Sequence, residues 1–258
     1  MKTDAKADAK APLRGPQGLS RVARILPCVR TEVRLQLRYG LYTVYAVVCA
    51  VYILILRALS PDARRLVLPV LVFLDPTMLG FFFVGGMVLF ERGDRTLTSL
   101  FTSPLRITEY FAAKILSLGL LAVLASLTVA TAGAGMSYRP LLLTASVLPT
   151  AAVFTLIGLA AVSRFRTVNA YLLASALYML PFAVPLLDYF GVVGSPLLYL
   201  LPSQGALDLI AASFRPAAPR AAEWAPAAGS LAVWLVLSWL WAGRWFRRYV
   251  IRRIGEEE

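Results

Sequence analysis

The chain has 258 residues, 59% of them hydrophobic, with a mean hydropathy of +0.71 and a net charge of +12. This apolar share is far above that of a soluble domain, so the composition indicates a membrane protein. Basic edges on a membrane protein explain the positive charge better than nucleic-acid binding does. The chain has no histidine and only two cysteines, which excludes His-based acid–base chemistry and a disulfide framework. We expect no metal site and no nucleic-acid partner.

The first 38 residues divide into two parts. Residues 1–26 form a basic tail without an apolar run, and we expect this tail to be disordered. In residues 27–38, two sets recur at every fourth position, an apolar set of Val29, Val33 and Leu37 and a basic set of Arg30, Arg34 and Arg38. This pattern predicts an amphipathic helix on the membrane surface, with its arginines at the lipid headgroups. An ordinary helical leader into the first span is the alternative.

Six apolar runs follow that are long enough to cross a bilayer. They cover residues 39–59, 66–90, 110–132, 141–162, 168–187 and 227–245. The stretch 195–214 is also apolar, but Pro196, Pro202 and Gly205 divide it into pieces too short to cross. We interpret it as re-entrant or interfacial helices between the fifth and sixth spans.

The distribution of basic residues predicts the topology. With six spans and both termini in the cytoplasm, 20 of the 26 Lys and Arg residues lie inside and 6 outside, in agreement with the positive-inside rule. A seventh crossing through 195–214 would move the five C-terminal arginines outside. We therefore predict an all-α, multi-pass protein of the cell membrane, with residues 195–214 on the outer side.

The segment between the second and third spans is polar and basic, and it reads FERGDRTLTSLFTSPLRITEYFAAK. Its apolar residues Leu97, Leu100 and Phe101 would share one face of a short helix over 93–103. Pro104 ends this helix, because proline supplies no N–H and biases the preceding residue away from helical angles. A solvated loop with chance periodicity is the alternative.

The order Glu-Arg…Arg-Thr-Leu…Ser-Pro-Leu-Arg…Glu-Tyr…Ala-Lys in this segment resembles ABC-2 type transporter permeases. Two further patches, GFFFVGG at 80–86 and YLLPSQG at 199–205, are similar to permease subunits described as fluoroquinolone exporters. The resemblance implies an ABC-2 transmembrane domain over 39–258 with a coupling loop over 91–109. In that family the loop forms a helix that docks on a separate ATPase subunit.

The resemblance also implies the function and the partners. The chain would be the permease subunit of an ATP-driven exporter that moves a small amphipathic molecule or drug by alternating access within the lipid bilayer. A second permease chain, identical or related, would complete the path. ATP and Mg would bind to the partner ATPase, since this chain has no GxxxxGK[ST] phosphate loop, and no catalytic residue is expected. The implied coupling residues are Glu91, Arg92, Arg95, Leu97, Leu100, Phe101, Pro104 and Arg106.

Asp75 is the most costly residue in the predicted spans. It lies about nine residues into the second span, or roughly 14 Å, near the middle of the bilayer, where a carboxylate costs about 2.5–3.5 kcal/mol. We interpret it as a contact for a cationic or zwitterionic substrate, on a path lined by Phe81, Phe82 and Phe83. The alternatives are an acid hydrogen-bonded to a neighbouring span, a span boundary that places Asp75 near the outer surface, and phenylalanines that face lipid.

Three other acids and two other functions complete the set of predictions. Glu91 ends the second span, where the helix dipole disfavours an acid, so we expect pairing with Arg92, Arg95 or a basic residue of a partner. Asp188 and Asp208 are interpreted as solvated loop residues.

The alternative functions are an exporter of a lipid or lipid-linked molecule, and an ion-coupled secondary transporter with Asp75 as proton carrier.

Overall fold

The computed structural model describes residues 21–94, 106–216 and 221–248, and within these ranges the chain forms helices and no strand. The α-helices are α1 (Arg21–Arg38), α2 (Leu41–Ala58), α3 (Pro61–Met78), α4 (Val84–Gly93), α5 (Ile107–Ala134), α6 (Pro140–Val162), α7 (Val168–Tyr189), α8 (Pro202–Ser213) and α9 (Ala221–Phe246). A π-helical turn, Leu79–Phe83, joins α3 to α4, and a 3-10 helix, Pro196–Leu200, precedes α8.

Six helical runs in the described residues are long and apolar enough to cross a membrane. They are α2, the continuous run Pro61–Gly93, α5, α6, α7 and the part Trp224–Phe246 of α9. The prediction of an all-α fold with six spans is confirmed. The second run begins at Pro61 instead of residue 66, because proline is well tolerated in the first helical turn and Arg64 caps α2 by donating to the carbonyls of Leu56 and Leu59.

Helix α6 is the centre of the bundle, where it packs against α3, α4, α5, α8 and α9. Its most apolar stretch is 78% buried, whereas the corresponding stretches of α2, α7 and α9 are each 22% buried. The outer three helices therefore present apolar side chains, such as Val47, Leu54 and Leu173, to the surroundings. This arrangement suits a lipid environment, where an apolar exterior is not penalised.

The second span is interrupted where it crosses α6. Pro76 supplies no N–H to the helix, and the π turn follows directly. A Cβ on Gly80 would lie 2.8 Å from the backbone nitrogen of Thr155, and a Cβ on Gly158 would lie 2.8 Å from the carbonyl oxygen of Phe81. Only glycine allows this close approach, so the π turn and α6 are packed backbone to backbone.

Helix α1 begins at Arg21, within the segment predicted as a disordered tail, and Pro27 lies inside it. Residues 1–20 are outside the described residues. The side chains of α1 that are most buried are polar: Glu32 and Gln36. Leu37, of the predicted apolar stripe, is 57% exposed, and the helix attaches to the bundle through the face that carries Glu32 and Gln36; its position on a membrane surface stays a prediction.

Two predicted features concern short helices. In the stretch 195–214, the 3-10 helix and α8 form the expected short pieces, and α8 is almost entirely buried against α6 and α9. Their position relative to a membrane stays a prediction. The predicted coupling helix over 93–103 lies outside the described residues, except for Gly93 and Asp94.

Candidate functional site: a buried ion cluster

The six spans place two sets of chain segments at opposite ends of the bundle. One end, here called the basic end, carries α1, the end of α4, the start of α5, residues 163–167 and the end of α9. The opposite end carries residues 59–60, 135–139 and 190–216. Most of the Lys and Arg residues in the described part of the chain belong to segments at the basic end, and the candidate functional site is there.

A buried ion cluster, formed by Glu32, Glu91, Tyr110 and Lys114, joins three helices at the basic end. Lys114 Nζ lies 2.6 Å from Glu91 Oε1 and 3.0 Å from Glu32 Oε2. The Tyr110 hydroxyl donates to Glu91 Oε2 at 2.7 Å. Glu91 and Lys114 are fully buried, and Glu32 is 4% exposed. An acid of α1 and an acid of α4 are thus held by one lysine of α5.

The spacing of these residues along their helices explains how the cluster forms. Tyr110 and Lys114 are four residues apart on α5, so they share a face, and Glu32 and Gln36 share a face of α1 in the same way. Gln36 Nε2 donates to Ser117 Oγ at 2.8 Å, which continues the contact one turn further along α5. Two polar faces therefore meet in an environment that would otherwise be apolar.

The charges in the cluster do not balance, because two carboxylates share one ammonium group. Burial raises the pKa of the Glu32 carboxyl above its ordinary value; Lys114 opposes the rise, and the charge of Glu91 adds to it. Lys114 also lies 4.9 Å from the centre of the Tyr110 ring, in cation–π range. The predicted pairing of Glu91 with Arg92, Arg95 or a partner did not anticipate Lys114, which lies on the next span.

Further bonds hold the chain on both sides of residues 95–105. Before this segment, the Arg92 guanidinium donates to the carbonyl of Phe165 at 2.9 Å, and the Tyr39 hydroxyl donates to Asp94 at 3.3 Å. After it, Glu109 accepts a bond from the Arg106 backbone N–H at 3.0 Å and so caps α5. The segment is therefore attached at each end to a well-anchored helix terminus.

The predicted coupling residues divide into two groups. Glu91, Arg92 and Arg106 are described and lie at the two ends of the segment. The others lie outside the described residues: Arg95, Leu97, Leu100, Phe101 and Pro104. Their role in coupling stays a prediction.

Asp75 is 2% exposed, and its Oδ2 atom has no hydrogen-bond partner. The Tyr45 hydroxyl donates to the backbone carbonyl of Asp75 at 3.3 Å, and Cys49 and Tyr52 of α2 lie within electrostatic range of the carboxylate. The acid is therefore buried between the first and second spans, with unused capacity to accept a hydrogen bond.

The three phenylalanines of the predicted path face different neighbours. Phe81 is fully buried, and its ring lies 6.0 Å from that of Tyr171. Phe83 is half-buried, with its ring 5.9 Å from that of Tyr45. Phe82 lines a cavity of about 310 Å³ between α3 and α7, walled mainly by Phe73, Phe154, Met179 and Phe182. The structure therefore does not bring Asp75 and the three phenylalanines to one surface.

At the opposite end, Asp188 and Asp208 belong to helices α7 and α8 and not to solvated loops. Gln204 Nε2 donates to Asp188 at 2.9 Å and to Asp208 at 3.3 Å, and the Tyr199 hydroxyl donates to Asp208 at 2.7 Å. These four residues are here called the acid–amide cluster.

Sequence reasoning did not identify Glu32, Tyr110 or Lys114 as site residues, although the last two belong to the motif that carries the resemblance. The available signals were a Glu–Gln pair at i, i+4 in α1 and a lysine within an apolar run.

Among the described residues, no group of three His, Cys, Asp or Glu side chains is placed to hold a metal ion.

Comparison with known proteins covers nearly the whole chain. The model of the fluoroquinolones export permease protein family matches residues 23–254. Two relatives named fluoroquinolones export permease protein, from Mycobacterium tuberculosis strains CDC 1551 and H37Rv, are each 31% identical over 194 residues. The aligned region is 75% of this chain and 82% of each relative. With its six apolar helices, this chain is a multi-pass membrane protein and belongs to the fluoroquinolones export permease protein family.

Proposed function

We propose that the chain is the membrane subunit of an ATP-driven ABC exporter, and that it moves small amphipathic drugs out of the cell together with a second permease chain. The basic end faces the cytoplasm, because most of the Lys and Arg residues are there. ATP and Mg bind to a separate ATPase subunit. The names of the two relatives support fluoroquinolones as the first substrates to test.

The observation that carries this proposal is the position of the buried ion cluster relative to residues 95–105. Glu91 lies just before the segment, Tyr110 and Lys114 lie just after it, and Glu32 ties both to α1. Separating a buried ion pair costs about 3–5 kcal/mol. A displacement of the segment is therefore transmitted to the second and third spans together, as transport driven by an external ATPase requires.

The ATPase docks on the segment itself. Leu97, Leu100 and Phe101 would form an apolar stripe in a polar cytoplasmic connection, where such a stripe has no use in folding the bundle. The stripe has a use if a groove on the ATPase buries it. Central apolar or aromatic anchors at an interface are typically worth about 2 kcal/mol or more, which is roughly 30-fold in affinity.

The cavity beside Phe82 supports a small, largely apolar substrate. Its volume of about 310 Å³ is at the lower end of the range for ligand sites, and apolar side chains, four of them phenylalanines, supply most of its walls. A lipid or lipid-linked substrate remains the alternative for the same ATP-driven mechanism.

An ion-coupled secondary transporter is the second candidate, and Asp75 is the observation in its favour. A buried carboxylate with an unused acceptor atom is suited to carry a proton across a membrane. The two candidates differ in their source of energy, so dependence on an ATPase separates them.

The test is affinity purification of the full-length chain from its own host, followed by an assay of ATP hydrolysis in the purified material. We expect an ATPase subunit to co-purify and its hydrolysis to rise when norfloxacin is added. The double substitution Leu100→Ala/Phe101→Ala should release the ATPase, while the chain still inserts in the membrane. Thr98→Ala, on another face of the predicted helix, is the matched control. A double variant that retains both its ATPase and its transport would disprove docking at this segment and favour the ion-coupled carrier.

A further inference from the structure

Within the described residues, the acid–amide cluster at the opposite end holds its acids without a salt bridge. Asp188 and Asp208 are both bonded to the neutral amide of Gln204, and Asp208 also accepts from the neutral Tyr199 hydroxyl. Within the described chain, no Lys or Arg nitrogen lies within 4.0 Å of either carboxylate. The charge of Arg215 acts on the Asp208 carboxyl from beyond this distance.

The buried amide of Gln204 uses its donor atom but not its acceptor atom. Its side chain is 4% exposed, and its Oε1 atom has no hydrogen-bond partner. Buried polar atoms are usually hydrogen-bonded, so this acceptor is an exception within the cluster. Burial also raises the pKa of the Asp208 carboxyl, although the bonds from Tyr199 and Gln204 oppose the rise. The charge of Asp188 adds to the rise in this pKa, and the charge of Arg215 opposes it.

The cluster opens into a cavity of about 270 Å³. Asp208 lies in its wall with the aromatic side chains of Tyr199 and Trp224, and Arg215 lies on another part of the wall. The bonds from Tyr199 and Gln204 both reach Asp208 Oδ2, which leaves Oδ1 without a hydrogen bond. A carboxylate between aromatic walls combines ion pairing with cation–π attraction.

We propose that this cavity binds the protonated amine of a small organic molecule, with Asp208 as its counter-ion and Trp224 against its apolar body. The inference deepens the proposed export function, since it places an amine-selective site at the end of the path where a substrate leaves. Gln204 and Tyr199 position the Asp208 carboxylate, and the positive charge of Arg215 in the same lining reduces its attraction for the amine.

The test is calorimetric titration of the purified full-length chain in lipid nanodiscs with two probes of nearly equal size, 4-methylbenzylamine and 4-methylbenzyl alcohol. We expect the amine to bind at least tenfold more tightly, because a hydrogen bond to a charged group contributes roughly tenfold or more to affinity. Asp208→Asn should remove this preference. Binding is measured without ATPase or transport, so a negative result bears on this site alone.

Three further variants distinguish a ligand site from a structural cluster. Trp224 is 44% exposed, so Trp224→Leu should fold normally and weaken amine binding severalfold even if Asp208→Asn fails to fold. Arg215→Gln should strengthen binding of the amine. Asp62→Asn removes an exposed acid of the same end and should change nothing. Equal binding of amine and alcohol by the native chain, or unchanged amine binding in both Asp208→Asn and Trp224→Leu, would overturn the proposal.

Discussion

At the basic end, Glu32 and Glu91 share the ammonium group of Lys114, whereas at the opposite end Asp188 and Asp208 share the neutral amide of Gln204. Both arrangements gather two carboxylates around one donor residue. The ammonium group draws three helices into a fixed geometry, because each partner is buried and costly to separate. The amide orients its acids but leaves their charge in place. The first arrangement suits the transmission of force, and the second suits the reception of a cation.

The largest effect should come from removing the shared charge at the basic end. Lys114→Met leaves Glu32 and Glu91 buried without a cation, and we expect the free energy of unfolding to fall by about 3–5 kcal/mol. Chemical denaturation in detergent micelles, followed by circular dichroism, measures this change. Arg30→Met, on the exposed face of α1, is the control and should be nearly neutral. The triple variant Lys114→Met/Glu32→Gln/Glu91→Gln should recover most of the lost free energy of unfolding. A Lys114→Met variant as stable as the native chain would contradict the difference between the two ends.

A smaller effect is expected at the opposite end. Tyr199→Phe removes one hydrogen bond from a neutral donor to Asp208, and since that carboxylate is only partly buried, the expected loss is about 1 kcal/mol. The same denaturation experiment applies. Tyr138→Phe, which removes an exposed hydroxyl contact with Thr131, should cost less. If Tyr199→Phe costs as much as Lys114→Met, the acid–amide cluster is as important for folding as the ion cluster.

The smallest effect is a dependence on pH that belongs to Glu32. Its pKa is raised in the folded chain, so above the ordinary value of 4.5 the folded state still holds a proton that the unfolded state has lost. The free energy of unfolding of the native chain, compared with that of Glu32→Gln, is then highest at low pH. This difference declines as pH rises through the raised pKa of Glu32. Unfolding of both proteins between pH 4.5 and 8 measures the difference. A difference that grows with pH would mean that Lys114 lowers the pKa of Glu32 instead.

The sequence predicts the six spans well, because the thickness of the bilayer fixes how long an apolar run must be. It also predicts that Asp75 is buried and costly, since a charge within such a run is visible without any knowledge of the neighbouring helices. The proline and glycine residues likewise indicate the short helices in 195–214. These features depend on local composition alone.

The two clusters could not be predicted in the same way, because they depend on which helices are neighbours. Lys114 and Glu32 are 82 positions apart, and Lys114 and Glu91 are 23 apart. The sequence of α1 does not show which of its faces contacts the bundle, since a buried Glu32 is stabilised by a lysine that the helix itself does not carry. Asp188 and Asp208 were assigned to solvent for the same reason.

The π turn at Leu79–Phe83 has a consequence for the second span as a whole. An extra residue in one helical turn rotates everything beyond it by about 100° relative to an uninterrupted α-helix. The two halves of the span therefore contact different neighbours. The first half contacts α2 through the backbone carbonyl of Asp75, and the second half contacts α5 through the carboxylate of Glu91. Because the glycine contacts hold the π turn against α6, the site where the two halves of the span change direction is also the site where the span is packed most closely in the bundle.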